Sequence, residues 1–481
     1  MTPASNQLID HHVDPFGLPL TLQRPKSLPA VHGFIEGFLG YEPRILDILQ
    51  VAIPEGESRD DSPIVRAYAA ALHMFSESRE GPPGARAHLE RAGVASAHLE
   101  RAEAASAHQA PPLPATAREL SVLQAVTAWV DGDVRQALGL LESVLREHPR
   151  DLTSLKLAQY LAFNLGDSPT MLRLALLSRD AAPEWAWTHG MLAFAFEQCH
   201  RLDEAQASAH QALRLNPQEP WAQHALAHIL LTRGQLREGA QFLERCSPGW
   251  HRLTSFMRTH NWWHLAVFLL DLGDDAQALK LYDEQVWGVE KSYTQDQIGA
   301  VSLLARLELA GVDVGSRWQE LAPWIEAHVH DQVQPFLDLQ YLYGLARAQH
   351  PQARVLLSRI EQFAPEAPLA ARQSWQRVAV PAARGLFAHA QGRWAEAVQG
   401  LEQALPQLVS IGGSHAQRDL FEQIHLDALI RSGQWAGAHN RLQPLAHTQP
   451  QSVRIRRQLG ALNAALGLPD EAFQAPKASA R

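Results

Sequence analysis

The 481-residue sequence contains only two cysteines, Cys199 and Cys246. Two thiols cannot build a disulfide framework or a four-thiolate zinc site, and their scarcity points to a reducing compartment. Long apolar runs are also missing: charge, histidine or glutamine interrupts each one well before the roughly 18 residues a membrane span needs. The start, Met1-Thr-Pro-Ala-Ser-Asn-Gln-Leu8, has no basic segment followed by an apolar one, so it does not read as a secretory signal. A cytoplasmic protein is the expectation. Excess positive charge is absent as well, since 42 Lys+Arg stand against 51 Asp+Glu, a net charge of −9. Nucleic acid and anionic membranes select basic faces that displace counterions, so neither is expected as a partner. No Gly-rich phosphate loop, nucleophile elbow, CxxC pair or dinucleotide fingerprint occurs, which sets aside nucleotide hydrolysis and dehydrogenase chemistry.

What the chain does have is a period. A length of 481 residues allows about three compact domains or one long array. Gly-polar pairs follow apolar stretches at Gly132-Asp133, Gly166-Asp167, Gly234-Gln235, Gly273-Asp274, Gly392-Arg393 and Gly433-Gln434. Pro149, Pro183 and Pro217 are spaced by 34 residues, the tetratricopeptide period. With proline at position 32, units start at Arg118, Leu152, Ala186 and Pro220. Small residues then fall where the two helices of a unit touch: Ala125 and Ala137, Ala193 and Ala205, Ala227 and Gly239. The second unit departs, with Gln159 and Met171. Aligning on the turn glycine gives further units from Thr259, Val378 and Asp419, and a partial one from Val453 to Ala472. The expected fold is all-α: a tetratricopeptide-like superhelix, or α-solenoid, of roughly nine to eleven helix pairs.

Four segments are expected. Residues 1–115 form an irregular helical region with an Ala/His-rich linker, in which Ser27 to Leu49 and Pro63 to Ser76 read as helices. Glu80-Gly-Pro-Pro-Gly84 reads as a breaker, and Ala-His-Leu-Glu-Arg-Ala occurs twice, at 87–92 and 97–102. Regular repeats occupy 116–289. Degenerate ones occupy 290–375, with helices over Ile298 to Ala310, Trp318 to His328, Leu337 to Ala348 and Ala353 to Phe363. Regular repeats return over 376–481.

In stacked helix pairs the first helix of each pair lines the concave face. The stripe facing that space carries Trp187, Phe194, Glu197 and Gln198 in the unit from Ala186. It carries Trp221, His224 and His228 in the next, and His260, Trp263 and His264 in the one after. His224 and His228 are four apart and so stack on one helix face; His260 and His264 repeat the arrangement. Four imidazoles on adjacent helices suit a divalent transition metal such as zinc, iron or copper, with Glu197 as a further ligand or an orienting carboxylate. The same groups also suit metal-free acid–base work or plain packing beneath Trp221, Trp262 and Trp263. Ser410-Ile-Gly-Gly-Ser414 reads as a turn before a helix that Ser414 caps, placing Arg418 as an anion anchor and Asp419 as a second orienting carboxylate. If the superhelix curls, Arg418 and Asp419 come across from His224 and His260. Asp338 is a candidate groove carboxylate, whereas His328-Val-His330-Asp331 reads as surface.

His224-Ala-Leu-Ala-His228, Thr259-His-Asn-Trp-Trp-His264, Gly311-Val-Asp-Val-Gly-Ser-Arg-Trp318 and Gly412-Gly-Ser-His-Ala-Gln-Arg-Asp419 resemble the tetratricopeptide repeat protein 38 family over about residues 115–430. The resemblance implies a helical-repeat fold and little chemistry. It also marks departures, because the family has an acidic residue where this chain has Leu231 and a histidine where it has Gln340. Two functions are weighed. One is a histidine- and tryptophan-lined concave pocket that binds a small molecule or metal, with catalysis left open. The other is a non-enzymatic scaffold holding a protein or peptide in the groove, where Lys156 and Asn164 lie on one flank.

Overall fold

A computed structural model of the chain describes residues 12–54, 59–105 and 115–469, the side chains of 94–105 excepted. Its architecture is all-α, with one two-residue strand pair, His12–Val13 against Pro19–Leu20. From Ala117 onward, nine helix pairs and a last single helix follow one another among the described residues. The first four pairs open at Ala117, Leu152, Ala186 and Pro220, within one residue of the expected starts. The fifth opens at Ser255, four residues before the expected Thr259, because its first helix runs long, over Ser255–Leu272. The pairs over 290–375 begin with Thr294–Leu309 and Pro335–Arg347. The last pair opens at His415 rather than Asp419, since the Ser414 hydroxyl starts the helix there in a reciprocal cap with Gln417. The final helix is Val453–Leu466, and the end of the partial unit expected to reach Ala472 lies outside the described residues.

The period has a physical origin in two kinds of position. The six glycines of the Gly-polar pairs all have positive φ, from +69° at Gly234 to +84° at Gly273, and end the first helix of their pairs. The small residues at the crossing points are buried: Ala125 and Ala137 are 1% and 0% exposed, and Ala193 and Ala205 both 0%. Gln159 and Met171 occupy the same places in the degenerate second unit, at 5% and 1%.

Packing divides the chain into two compact units. The first comprises Met1–Ser76, Glu80–Leu161 and Arg173–Pro183. Here the helix expected over Ser27 to Leu49 stops at Gly40: Tyr41 turns left-handed (φ +55°), and Pro43 begins a 3-10 turn that folds back over Gly37. The Glu80–Gly84 stretch does not separate elements but opens the helix Gly81–Ala105, its prolines lying in a first turn that needs no amide donors. The segment 110–114 and His11 lie outside the described residues. Lys156 is no groove residue. Its ammonium is buried, donates to the carbonyls of Phe38 and Leu39 at a helix end, and sits 3.4 Å from the Tyr41 ring centroid.

The second unit comprises Glu77–Arg79, Ala162–Leu172 and Glu184–Arg481. Within it the array curls until early and late repeats meet. Gly166 and Gly234 fit against the backbones of Val409 and Thr448, where a Cβ would come within 2.1 and 2.4 Å of a carbonyl oxygen. Asp271, ending one inner helix, accepts from Ser452 (3.0 Å) and Arg454 (2.8 Å) of the final helix region. The first helices of these pairs therefore come to face one another.

Candidate functional site

The first helix of a repeat is buried on both flanks, so a polar residue on its inner stripe must find partners among the other inner helices. On Pro220–Thr232 and Ser255–Leu272, spacing by four puts two imidazoles on each inner face. The structure brings all four together: one ring nitrogen from each of His224, His228, His260 and His264 lies within 4.8 Å of the others. His224, His228 and His264 are 2%, 1% and 0% exposed. His260, half-buried as a residue, brings its ring in beside them. Nε2 of His224 is 3.1 Å from Nε2 of His228 and 3.1 Å from Nε2 of His260. The His264 ring packs edge-on to His228 and His260 at 4.6 and 4.8 Å between centroids, and neither of its nitrogens has a hydrogen-bond partner.

Aromatic rings close the site. Trp221 stacks on His224 at 4.4 Å, Trp263 lies parallel to His260 at 5.5 Å, and Phe194 packs on both His224 and His228. Burial in this shell pushes the imidazoles of His224 and His264 well below their ordinary value and that of His260 down to about 3, with neighbouring imidazoles adding to the effect. These three rings are neutral at pH 7, the form that binds metal.

Neutrality creates a conflict that the protein groups do not resolve among themselves. A neutral imidazole has one N–H and one in-plane lone pair. His224 Nε2 faces two nitrogens at once, yet one lone pair cannot accept two in-line hydrogen bonds and one N–H cannot serve two acceptors. A cation at the focus would turn the converging lone pairs into ligands. With zinc–nitrogen bonds of about 2.0–2.1 Å, tetrahedral geometry sets the ligand nitrogens roughly 3.3 Å apart, close to the observed 3.1 Å.

Glu197 stands behind His228, its Oε1 3.7 Å from Nδ1. It is wholly buried, which by itself would raise its pKa, but His228 and His415 outweigh burial and hold the carboxyl below the usual carboxylate range. Glu197 also accepts from His415 Nε2 at 2.6 Å and from the Gln198 amide at 2.6 Å.

Sequence reasoning placed several other residues, and the structure sorts them. The helix His415–Arg431 does cross to the histidines, but through His415, whose ring is 6.2 Å from that of His228. His415 was passed over, although it lies inside the Gly412-Gly-Ser-His motif directly after the Ser414 cap. Asp419 orients none of the four imidazoles; it pairs with Arg306 (2.9 Å) and Gln423 (2.6 Å). Arg306, also missed, is buried, lies 5.6 Å from the Trp263 ring centroid and donates to the Ala416 carbonyl. Arg418 senses the charge of Glu197 but donates to the carbonyls of Gly412 and Gly413, so its guanidinium is committed to the turn. Trp187 stacks on Trp185 at 5.3 Å. Asp338 is buried with neither oxygen partnered; burial, with Asp331 nearby, raises its pKa well above the usual value, which favours its protonated form. His328, expected at the surface, is buried, bonds Asp331 at 2.7 Å and stacks on Tyr341, while His330 is exposed.

No family model matches the chain. Among solved structures it is similar to yeast Tom70, at 14% identity over 78% of this chain and 71% of that one, with a TM-score of 0.47. Human IFIT1, solved as a dimer with m7Gppp-AAAA, is similar at 13% identity over 92% of each chain, with a TM-score of 0.40. The TPR domain of P58(IPK) is similar at 11% identity over 75% of this chain and 100% of that one, with a TM-score of 0.21. Its own succession of helix pairs makes the chain an all-α helical-repeat solenoid. Among the described residues no helix is long and apolar enough to cross a membrane.

Proposed function

We propose that this chain is a helical-repeat protein of the tetratricopeptide repeat protein 38 family that holds one divalent transition metal, zinc first among them, between His224, His228, His260 and His264. The observation that carries the reading is His224 Nε2, flanked at 3.1 Å by Nε2 of both His228 and His260, with a nitrogen of His264 in the same cluster and too few protons and lone pairs of the right geometry to satisfy them. Burial supports it by keeping the rings neutral and by excluding competing water. Glu197, its Oε1 3.7 Å from Nδ1, sets a carboxylate behind His228 in the usual carboxylate–histidine–metal order. When bound, the metal supplies Lewis acidity and a cross-link between two repeats. Four imidazoles in one shell resemble a closed structural site more than an open catalytic one. The burial of His228 and His264 together with Phe194 and Trp263 favours this over a peptide lying in an open groove.

The test is metal analysis of protein purified without an affinity tag, beside a His224→Ala/His260→Ala variant. The reading expects at least one zinc per wild-type chain and one fewer in the variant. Equal metal content in both would overturn it.

A further inference from the structure

His228 differs from the other three histidines in what its second nitrogen faces. Nδ1 of this buried ring has no hydrogen-bond partner and points at Glu197 Oε1 across 3.7 Å, beyond hydrogen-bond reach. The same oxygen lies 2.6 Å from Nε2 of His415, and one ligand atom from each of Glu197, His228 and His415 lies within 4.8 Å of the others. Arg418 is held by the Gly412 and Gly413 carbonyls, and the Gln198 amide donates to the other oxygen of Glu197.

We propose that Glu197, His228 and His415 form a second metal site, joined to the four-histidine centre by His228 as a bridging imidazolate. The inference rests on the metal reading above. Two imidazole nitrogens and one carboxylate oxygen suit zinc or copper(II). With metal–nitrogen bonds of about 2.0 Å on either side of one ring, the two ions stand roughly 6 Å apart. Bridging uses both nitrogens of His228, so its single ring proton leaves to solvent as the second ion binds; no electron moves. The side chain of His415 is 25% exposed, so the second site meets solvent there.

The experiment uses the full chain without a tag, stripped with chelator, loaded with zinc and counted by mass spectrometry after gel filtration in dilute chelator. The chelator matters because the chain has 24 histidines, many able to hold zinc loosely. The expected result is two ions per wild-type chain and one in both His415→Ala and His415→Asn, with helical circular dichroism unchanged. Loaded with copper(II), the wild type should give an exchange-coupled pair with a depressed doublet signal in electron paramagnetic resonance, and His415→Asn the full signal of an isolated ion. One ion in wild type and variants alike overturns the second site and leaves the first standing. No retained ion in any of them overturns both. Two uncoupled coppers in the wild type, or two ions in the His415 variants, overturn the bridge as assigned.

Discussion

His224 and His228, one turn apart on the same helix, aim the same ring nitrogen at each other: Nε2 to Nε2 is 3.1 Å, with the rings 73° apart. Neighbouring imidazoles left to themselves would stack or turn a nitrogen toward a carbonyl. Here the Nδ1 atoms of both are left without partners in order to point Nε2 inward. That arrangement costs free energy in a metal-free protein; the proposed ion would offset the cost and so tie fold stability to metal occupancy.

Glu197→Gln keeps the shape of the side chain and removes its charge. A carboxylate behind a metal-ligating histidine is worth about 10–100-fold in affinity, the loss expected at the proposed four-histidine site. Chelator competition with zinc should record a loss in that range, and a change under threefold would show that Glu197 does not act on His228.

His264 supplies a pH signature. Its pKa is lowered by burial first and by neighbouring imidazoles and Arg306 next, whereas in the unfolded chain it takes up a proton near the ordinary value of 6.5. A depressed folded pKa contributes stability that is complete above 6.5 and drains as pH falls below it, at about 1.4 kcal/mol per pH unit for one group. Asp14 and Asp296, both pushed up to about 6 by burial, act with the opposite sign, as does Asp338, so the whole-protein profile mixes the two. The difference in urea unfolding free energy between metal-stripped wild type and His264→Gln isolates the imidazole. That difference should shrink steadily from pH 6.5 to 5.5; a constant difference would count against a neutral buried His264.

Gly239 sits at a crossing point where a Cβ would lie 2.3 Å from the Phe268 ring. Phe268 is itself buried without slack, so Gly239→Ala should destabilise the second unit by about 1–3 kcal/mol. Gly437→Ala is the control, since the nearest atom to its Cβ is 3.8 Å away. Urea midpoints of the two variants should separate clearly.

Arg454 holds Asp271 from the last helix, and the pair is largely buried, at 13% and 7% side-chain exposure. Removing one member strands the other, at a cost of about 3–5 kcal/mol. Arg454→Ala should release the C-terminal helix to limited proteolysis sooner than the rest of the second unit; an unchanged cleavage order would show that the pair does not latch it.

Much of this could be read from residue order because the determining contacts repeat. Turn glycines and small crossing residues obey local geometry, which is why starts at Leu152, Ala186 and Pro220 come out to the residue. The paired histidines followed from spacing by four on a face the repeat already defined. What escaped depends on curvature summed over many repeats. Nothing in the spacing of Arg306 says it will meet Asp419, or that His415 rather than Asp419 will reach Glu197. Lys156 escaped for a related reason: a single cation can end a helix far away in sequence as readily as it can line a groove.

The link between Glu197 and His415 spans 218 residues of sequence, whereas His224 to His264 spans 40. A chain emerging from the ribosome therefore builds its four-imidazole cluster from two neighbouring repeats early, and gains Glu197's partner only when the ninth pair arrives. The order of synthesis thus divides the centre into a part that forms by local folding and a part that registers completion of the curl.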